Sequence, residues 1–176
     1  MSLNRISCVL VLANLILILA LALINSSISQ WGFFFYLPGL FFLPHYQILE
    51  VNRSLPAIFI SGLCFDHFFN HTLGFHAFAM CLLFLIAREF LHLGKQSPIQ
   101  ITIFQALTNL ILAIGWGLFC AFFESNLSNW NWERFLIEVP LSLLFLIPLS
   151  LWFPNFCTSL INRVFPLSEP LTLLKK

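Results

Sequence analysis

Charge is scarce in this sequence: nine per cent of its 176 residues are Asp, Glu, Lys or Arg, while 60% are hydrophobic. A soluble globular chain carries about 25% charged residues. With so few charges a water-soluble domain of this length could not cover its surface, which excludes that class. Basic clusters are missing too. The net charge is +1 and no stretch is strongly basic, so nucleic acid is excluded as a partner, because phosphate binding needs grouped Lys and Arg. None of the five cysteines (Cys8, Cys64, Cys81, Cys120 and Cys157) forms a CxxC pair. Set in apolar surroundings, they read as small hydrophobes, not as disulfides or metal ligands. There is no GxSxG elbow, no Gly-rich phosphate loop and no HExxH. The short alternating runs of a β-barrel are absent as well.

What is present is long apolar blocks. Six segments are expected to be transmembrane α-helices, at about residues 6–24, 31–49, 55–69, 73–91, 99–123 and 135–153. A spanning helix takes about 20 residues, so six of them leave no room for an appended soluble domain. The expectation is one all-α, polytopic domain covering residues 1–176. Segment one could also be read as a signal peptide, since Arg5 precedes it and Ala20-Leu21-Ala22 has the small-x-small form. Its apolar run exceeds the usual signal core of about 7–15 residues, which favours a retained helix. Segment two is dense in Phe and interrupted by Pro38-Gly39 and Pro44, so a kinked or split helix is expected there.

Orientation follows from the Lys and Arg residues between segments. With a cytoplasmic N-terminus, Arg5, Arg53, Arg88, Lys95, Arg163, Lys175 and Lys176 fall on the cytoplasmic side and Arg134 alone falls outside. An even number of spans is required for that bias, and six satisfies it. Glu124, Glu133 and Glu138 then flank a solvated outer loop, in which Trp130 and Trp132 are interfacial anchors. Ala113, Gly117 and Ala121 recur every four residues and place small side chains on one face of segment five, where another helix can approach closely. Gly74, Ala77 and Cys81 make a similar stripe on segment four.

The polar residues that need a reason lie between segments three and four. Asp66 follows Gly62 by four residues, and a charged side chain inside a bilayer usually faces a bundle interior or a partner. Three readings stay open for it. Asp66 caps the connection to segment four, or it meets a polar group of a partner chain, or it serves catalysis or ion transport. His67 and His71 stand four apart, a spacing that suits a divalent metal, with His76 or Asn70 as the nearest further ligand. Interfacial histidines are more often amphipathic surface residues, and no metal site is assigned.

This hairpin resembles the rod shape-determining protein MreD family of bacteria. The resemblance rests on a Gly, an Asp four residues later, and Leu-Gly-Phe-His-Ala opening the next helix. Here these are Gly62, Asp66 and Leu73-Gly74-Phe75-His76-Ala77. His67-Phe68-Phe69-Asn70-His71 departs from the small or aliphatic residues usual in that family after the Asp. The resemblance implies a non-enzymatic inner-membrane scaffold without a cofactor, with both termini in the cytoplasm. It further implies binding to an MreC-like single-span protein and, through it, to the MreB filament and the cell-elongation synthases. The implied fold is similar to that of the substrate-binding subunits of energy-coupling-factor transporters. A solute-binding subunit of that kind is therefore the rival reading, with Gln105, Asn109 and Asp66 as solute contacts. A third reading is an intramembrane enzyme or metal-handling protein using Asp66, His67 and His71.

Overall fold

The computed structural model describes residues 3–41, 51–91, 98–123 and 132–164. Five α-helices and two 3₁₀ turns make up its regular structure, and no strand occurs among the described residues. The helices are α1 (Leu3–Ile28), α2 (Val51–Phe68), α3 (Phe75–Leu91), α4 (Pro98–Phe123) and α5 (Trp132–Val164). Three of them, α1, α4 and α5, are long and apolar enough to cross a membrane, and α2 and α3 carry shorter apolar stretches. The interior is apolar at Leu10, Ile18, Phe41, Phe65, Phe84 and Phe153, all fully buried. The exterior is equally apolar, with Leu23, Phe78, Ile99, Phe122 and Leu136 standing largely exposed. A helix bundle that is hydrophobic inside and out is stable only in a hydrocarbon solvent.

Helices α1 and α5 outrun the expected segments at both ends, because apolarity marks where lipid lies, not where hydrogen bonding stops. α5 continues past residue 153 to Val164 despite Pro140, Pro148 and Pro154 inside it. Two of its later carbonyls gain side-chain donors, Leu151 from Asn155 and Pro154 from Thr158. Phe153, Cys157 and Ile161 form the buried face of this extension and pack with Leu10 and Ala13 of α1.

Segment two is corrected by the structure over its described part. After a 3₁₀ turn at Ser29–Trp31, residues 33–37 form no helix, and a second 3₁₀ turn spans Pro38–Leu40. Residues 42–49 of that segment lie outside the described residues. The non-helical stretch is nevertheless buried from Tyr36 to Phe41. Exposed backbone of that kind cannot lie in lipid, because each unpaired N–H or C=O there costs several kcal/mol. Here side chains of the surrounding helices supply the partners. Asn25 of α1 binds both polar groups of Phe35, accepting from its N–H at 2.8 Å and donating to its carbonyl at 2.9 Å. Ser142 of α5 accepts from Tyr36 N–H at 2.9 Å. Asn109 of α4 donates to the Tyr36 carbonyl at 2.8 Å and accepts from Gly39 N–H at 3.1 Å. Asn14 of α1 donates to the Phe41 carbonyl at 3.0 Å. Polar residues that look out of place in apolar helices thus replace the hydrogen bonds a helix would have made for itself.

One end of the bundle collects the last turns of α1 and α4, the start of α5 and the α2–α3 connection, all meeting residues 34–36 or His71. α1 and α2 both finish at this end, and the described stretch after α1 runs from it as far as Leu40 in the cluster of Leu10, Phe153 and Ile161. Arg5 and Arg163 sit at the far end, near the Leu10–Ile161 cluster, and both are exposed. From Arg5 to Asn25 the helix rises about 30 Å, the thickness of a hydrocarbon core. Of the small-residue stripe, Ala113 and Gly117 are buried, whereas Ala121 is exposed near the end of α4.

Candidate functional site

The α2–α3 hairpin is built around Asp66. α2 ends in a Schellman motif: His71 N–H reaches back to the Asp66 carbonyl at 2.9 Å, and Asn70 N–H to the His67 carbonyl at 3.4 Å. Asn70 occupies the left-handed position, with φ 52°, a conformation that Asn tolerates better than most side chains. Gly74 immediately precedes α3; it has φ 99° and lacks a side chain with which to cap that helix. Asp66 performs that task from the neighbouring helix. Its Oδ2 accepts from Gly74 N–H at 2.8 Å, and both oxygens lie 3.2 Å from His76 N. A carboxylate at the positive end of a helix, accepting its unpaired N–H groups, is a favourable placement.

Asp66 also begins a side-chain relay. His76 Nδ1 donates to Asp66 Oδ1 at 2.6 Å, and His76 Nε2 meets the Tyr36 hydroxyl at 2.5 Å. Asp66 and His76 are fully buried, and Tyr36 is nearly so. The carboxylate fixes the imidazole tautomer with hydrogen on Nδ1, so Nε2 accepts from Tyr36. His71 lies beside this relay. It stacks on Trp116 of α4 with ring centroids 4.3 Å apart, and on His76 at 4.9 Å. Its Nδ1 is buried and has no hydrogen-bond partner. Burial, with a smaller contribution from His76, pushes the His71 imidazole down to about 3, so the ring is neutral at physiological pH.

Gly62 stands opposite the first turn of α3. A Cβ added there would lie 2.5 Å from Ala77 Cα and 2.7 Å from Ala77 N. The motif residues Gly62, Asp66, Gly74 and His76 therefore form one contiguous structure that joins two helices. His67 does not belong to it. Because α2 stops at Phe68, the helical spacing of four between His67 and His71 does not persist; His67 stays exposed while the turn carries His71 inward. Asn70, named with His76 as a possible further ligand, lies beyond the end of α2 and is exposed. Sequence reasoning missed Tyr36, Trp116, Asn25 and Ser142. The available signal was weak: Tyr36 is one of only two tyrosines in a chain with 22 phenylalanines.

Loss of the Asp66 carboxylate has a graded consequence. Asp66→Ala leaves the Gly74 and His76 N–H groups without an acceptor and is expected to lower stability by about 2–3 kcal/mol. Asp66→Asn keeps one acceptor oxygen, and its amide can donate to His76 if the imidazole shifts its hydrogen to Nε2, facing the Tyr36 oxygen. That variant is expected to lose about half as much. Thermal midpoints of the two proteins in the same detergent check the order.

Comparison with family models, with curated proteins and with solved structures finds no match to this chain.

Proposed function

We propose that this chain is a multi-pass membrane protein of the bacterial inner membrane that acts as a non-catalytic scaffold subunit of the cell-elongation complex. In this reading it crosses the bilayer six times, keeps both termini in the cytoplasm, and binds an MreC-like single-span partner through which it reaches MreB and the wall synthases. The observation that carries the reading is the use to which the motif residues are put. Gly62, Asp66, Gly74 and His76 are spent on one helix–helix junction, with the carboxylate accepting hydrogen bonds from the chain's own donors. Such a junction sets the relative position of two helices and the surface they present. The placement of Arg5 and Arg163 at the end opposite the hairpin agrees with a cytoplasmic location for that end.

The solute-binding alternative draws less support. Of the three contacts it requires, Asn109 is occupied by Tyr36 and Gly39, and Asp66 by Gly74 and His76. Only Gln105 keeps both amide atoms buried without a hydrogen-bond partner.

The test is co-purification. The chain is extracted in mild detergent with a tagged MreC-like partner, and the recovered amounts are normalised to folded protein. Asp66→Ala and Gly74→Leu, which distort the hairpin, are expected to reduce partner recovery severalfold. Wild-type recovery with both variants would remove the hairpin from the interface and the scaffold reading with it.

A further inference from the structure

We propose that Asp66, His71 and His76 form a binding site for one divalent transition ion of the zinc class at the end of the α2–α3 hairpin. The three residues offer ligand atoms that all lie within 4.8 Å of one another. A tetrahedral zinc site with bonds of about 2.0–2.1 Å separates its ligand atoms by about 3.3 Å, so the widest pair here must close by roughly 1.5 Å. The Asp66–His76 contact, at 2.6 Å, must open by less than that. These are side-chain adjustments, because all three backbones are already held by the turn and the cap.

Independent evidence for a missing ligand is His71 itself. Its Nδ1 is buried without a hydrogen-bond partner, although nearly all buried polar atoms have one. The ring lies stacked on Trp116 with centroids 4.3 Å apart, so its plane is set by that neighbour while its edge faces the hairpin's other polar groups only through side-chain rotation. Asp66 supplies the charge. Among the described residues no Lys or Arg pairs with this buried carboxylate, and a divalent ion would balance it in surroundings of low dielectric. Each carboxylate oxygen has two lone pairs, so the bonds from Gly74 and His76 N–H can persist while an ion binds.

Tyr36 completes the design. An ion taking Nδ1 of His76 displaces its hydrogen, which moves to Nε2. The imidazole stays neutral and no proton need leave the residue. Nε2–H then donates to the Tyr36 oxygen already 2.5 Å away, and the hydroxyl turns its own hydrogen aside. Ligating histidines almost always donate their second ring nitrogen to such an oxygen. One carboxylate and two imidazoles select zinc, cobalt, nickel or copper over calcium or magnesium, which prefer oxygen alone. Three protein ligands leave a fourth position for water. Bound there, the ion would tie the end of α2, the turn and the start of α3 together.

Purified full-length protein in detergent is stripped with chelator, incubated with Zn²⁺ or Co²⁺, and desalted. Elemental analysis is expected to find one ion per chain in wild type and in His67→Ala, the control for surface histidine. Less than a tenth of that is expected in His71→Phe, which keeps a ring against Trp116, and in Asp66→Asn. Cu²⁺ loaded into the wild-type protein should show two imidazole nitrogens by electron paramagnetic resonance, a readout that depends on no variant folding. Negligible zinc in wild type, equal zinc in His71→Phe, or a copper spectrum with fewer than two imidazoles would overturn the site.

Discussion

Gly62→Leu is expected to yield no folded protein, and Gly62→Ala to lower stability by about 3 kcal/mol. The reason is that the atoms facing Gly62 belong to backbone. A Cβ at this position would meet Ala77 Cα at 2.5 Å, Ala77 N at 2.7 Å and the His76 carbonyl carbon at 3.0 Å. No side-chain rotation relieves such contacts, so α3 must move away from α2. That movement pulls directly on the capping bonds, because Gly74 N–H and His76 Nδ1 reach Asp66 at 2.8 and 2.6 Å. Close packing lost between helices is not restored by a hydrophobic drive in lipid, where tails are as apolar as side chains. Gly115→Ala is the control on α4. Its added methyl would meet only Phe75 Cζ at 3.7 Å, an ordinary contact, and Ala favours a helix more than Gly does. Melting curves and gel-filtration profiles of the three variants should therefore separate Gly62 sharply from Gly115. A Gly62→Ala protein that melts with wild type would refute the close approach of the two helices.

The sequence made some of this legible, for identifiable reasons. A carboxylate in an apolar stretch draws notice because its insertion is expensive, and a Gly four residues before it marks a face on which another backbone can sit; Asp66 and Gly62 were readable on that account. Helices α1, α4 and α5 were readable from unbroken apolarity. Segment two was not, because hydropathy reports the solvent and says nothing about where the backbone bonds. Phe33, Phe34 and Phe35 suit lipid as well in an extended chain as in a helix, provided something else serves their N–H and C=O groups. What serves them is remote in sequence. Ser142 lies 106 positions from Tyr36, and Asn109 lies 73 from it. The same distance hid the relay, since nothing near Asp66 points to a tyrosine 40 positions before His76. The turn hid His71, as α2 stops before the spacing from His67 can hold.

Asn109→Leu tests the account of segment two most severely, because by hydropathy it is an improvement. The substitution nearly conserves volume and removes a polar amide from an apolar helix, yet it is expected to destabilise the protein by about 4 kcal/mol. Asn109 holds the Tyr36 carbonyl at 2.8 Å and Gly39 N–H at 3.1 Å, and its side chain is almost completely buried. Leucine leaves both backbone groups without a partner where water cannot replace it, at about 1–3 kcal/mol for each group in a protein interior and more in hydrocarbon. The damage should also spread. Tyr36 is tethered at its N–H by Ser142, at its carbonyl by Asn109 and at its hydroxyl by His76, so releasing one tether weakens the contact with the hairpin. Combining Asn109→Leu with Tyr36→Phe should accordingly cost less than the sum of the two single changes. Gln105→Leu, one helical turn away, supplies the opposite expectation. Its amide is equally buried but makes no hydrogen bond, so replacing it should be neutral or stabilising. If both leucine variants melt together in the same detergent, side-chain amides do not hold this stretch of backbone. If Asn109→Leu falls well below Gln105→Leu, the asparagine stands where a helix's own hydrogen bonds would otherwise have been.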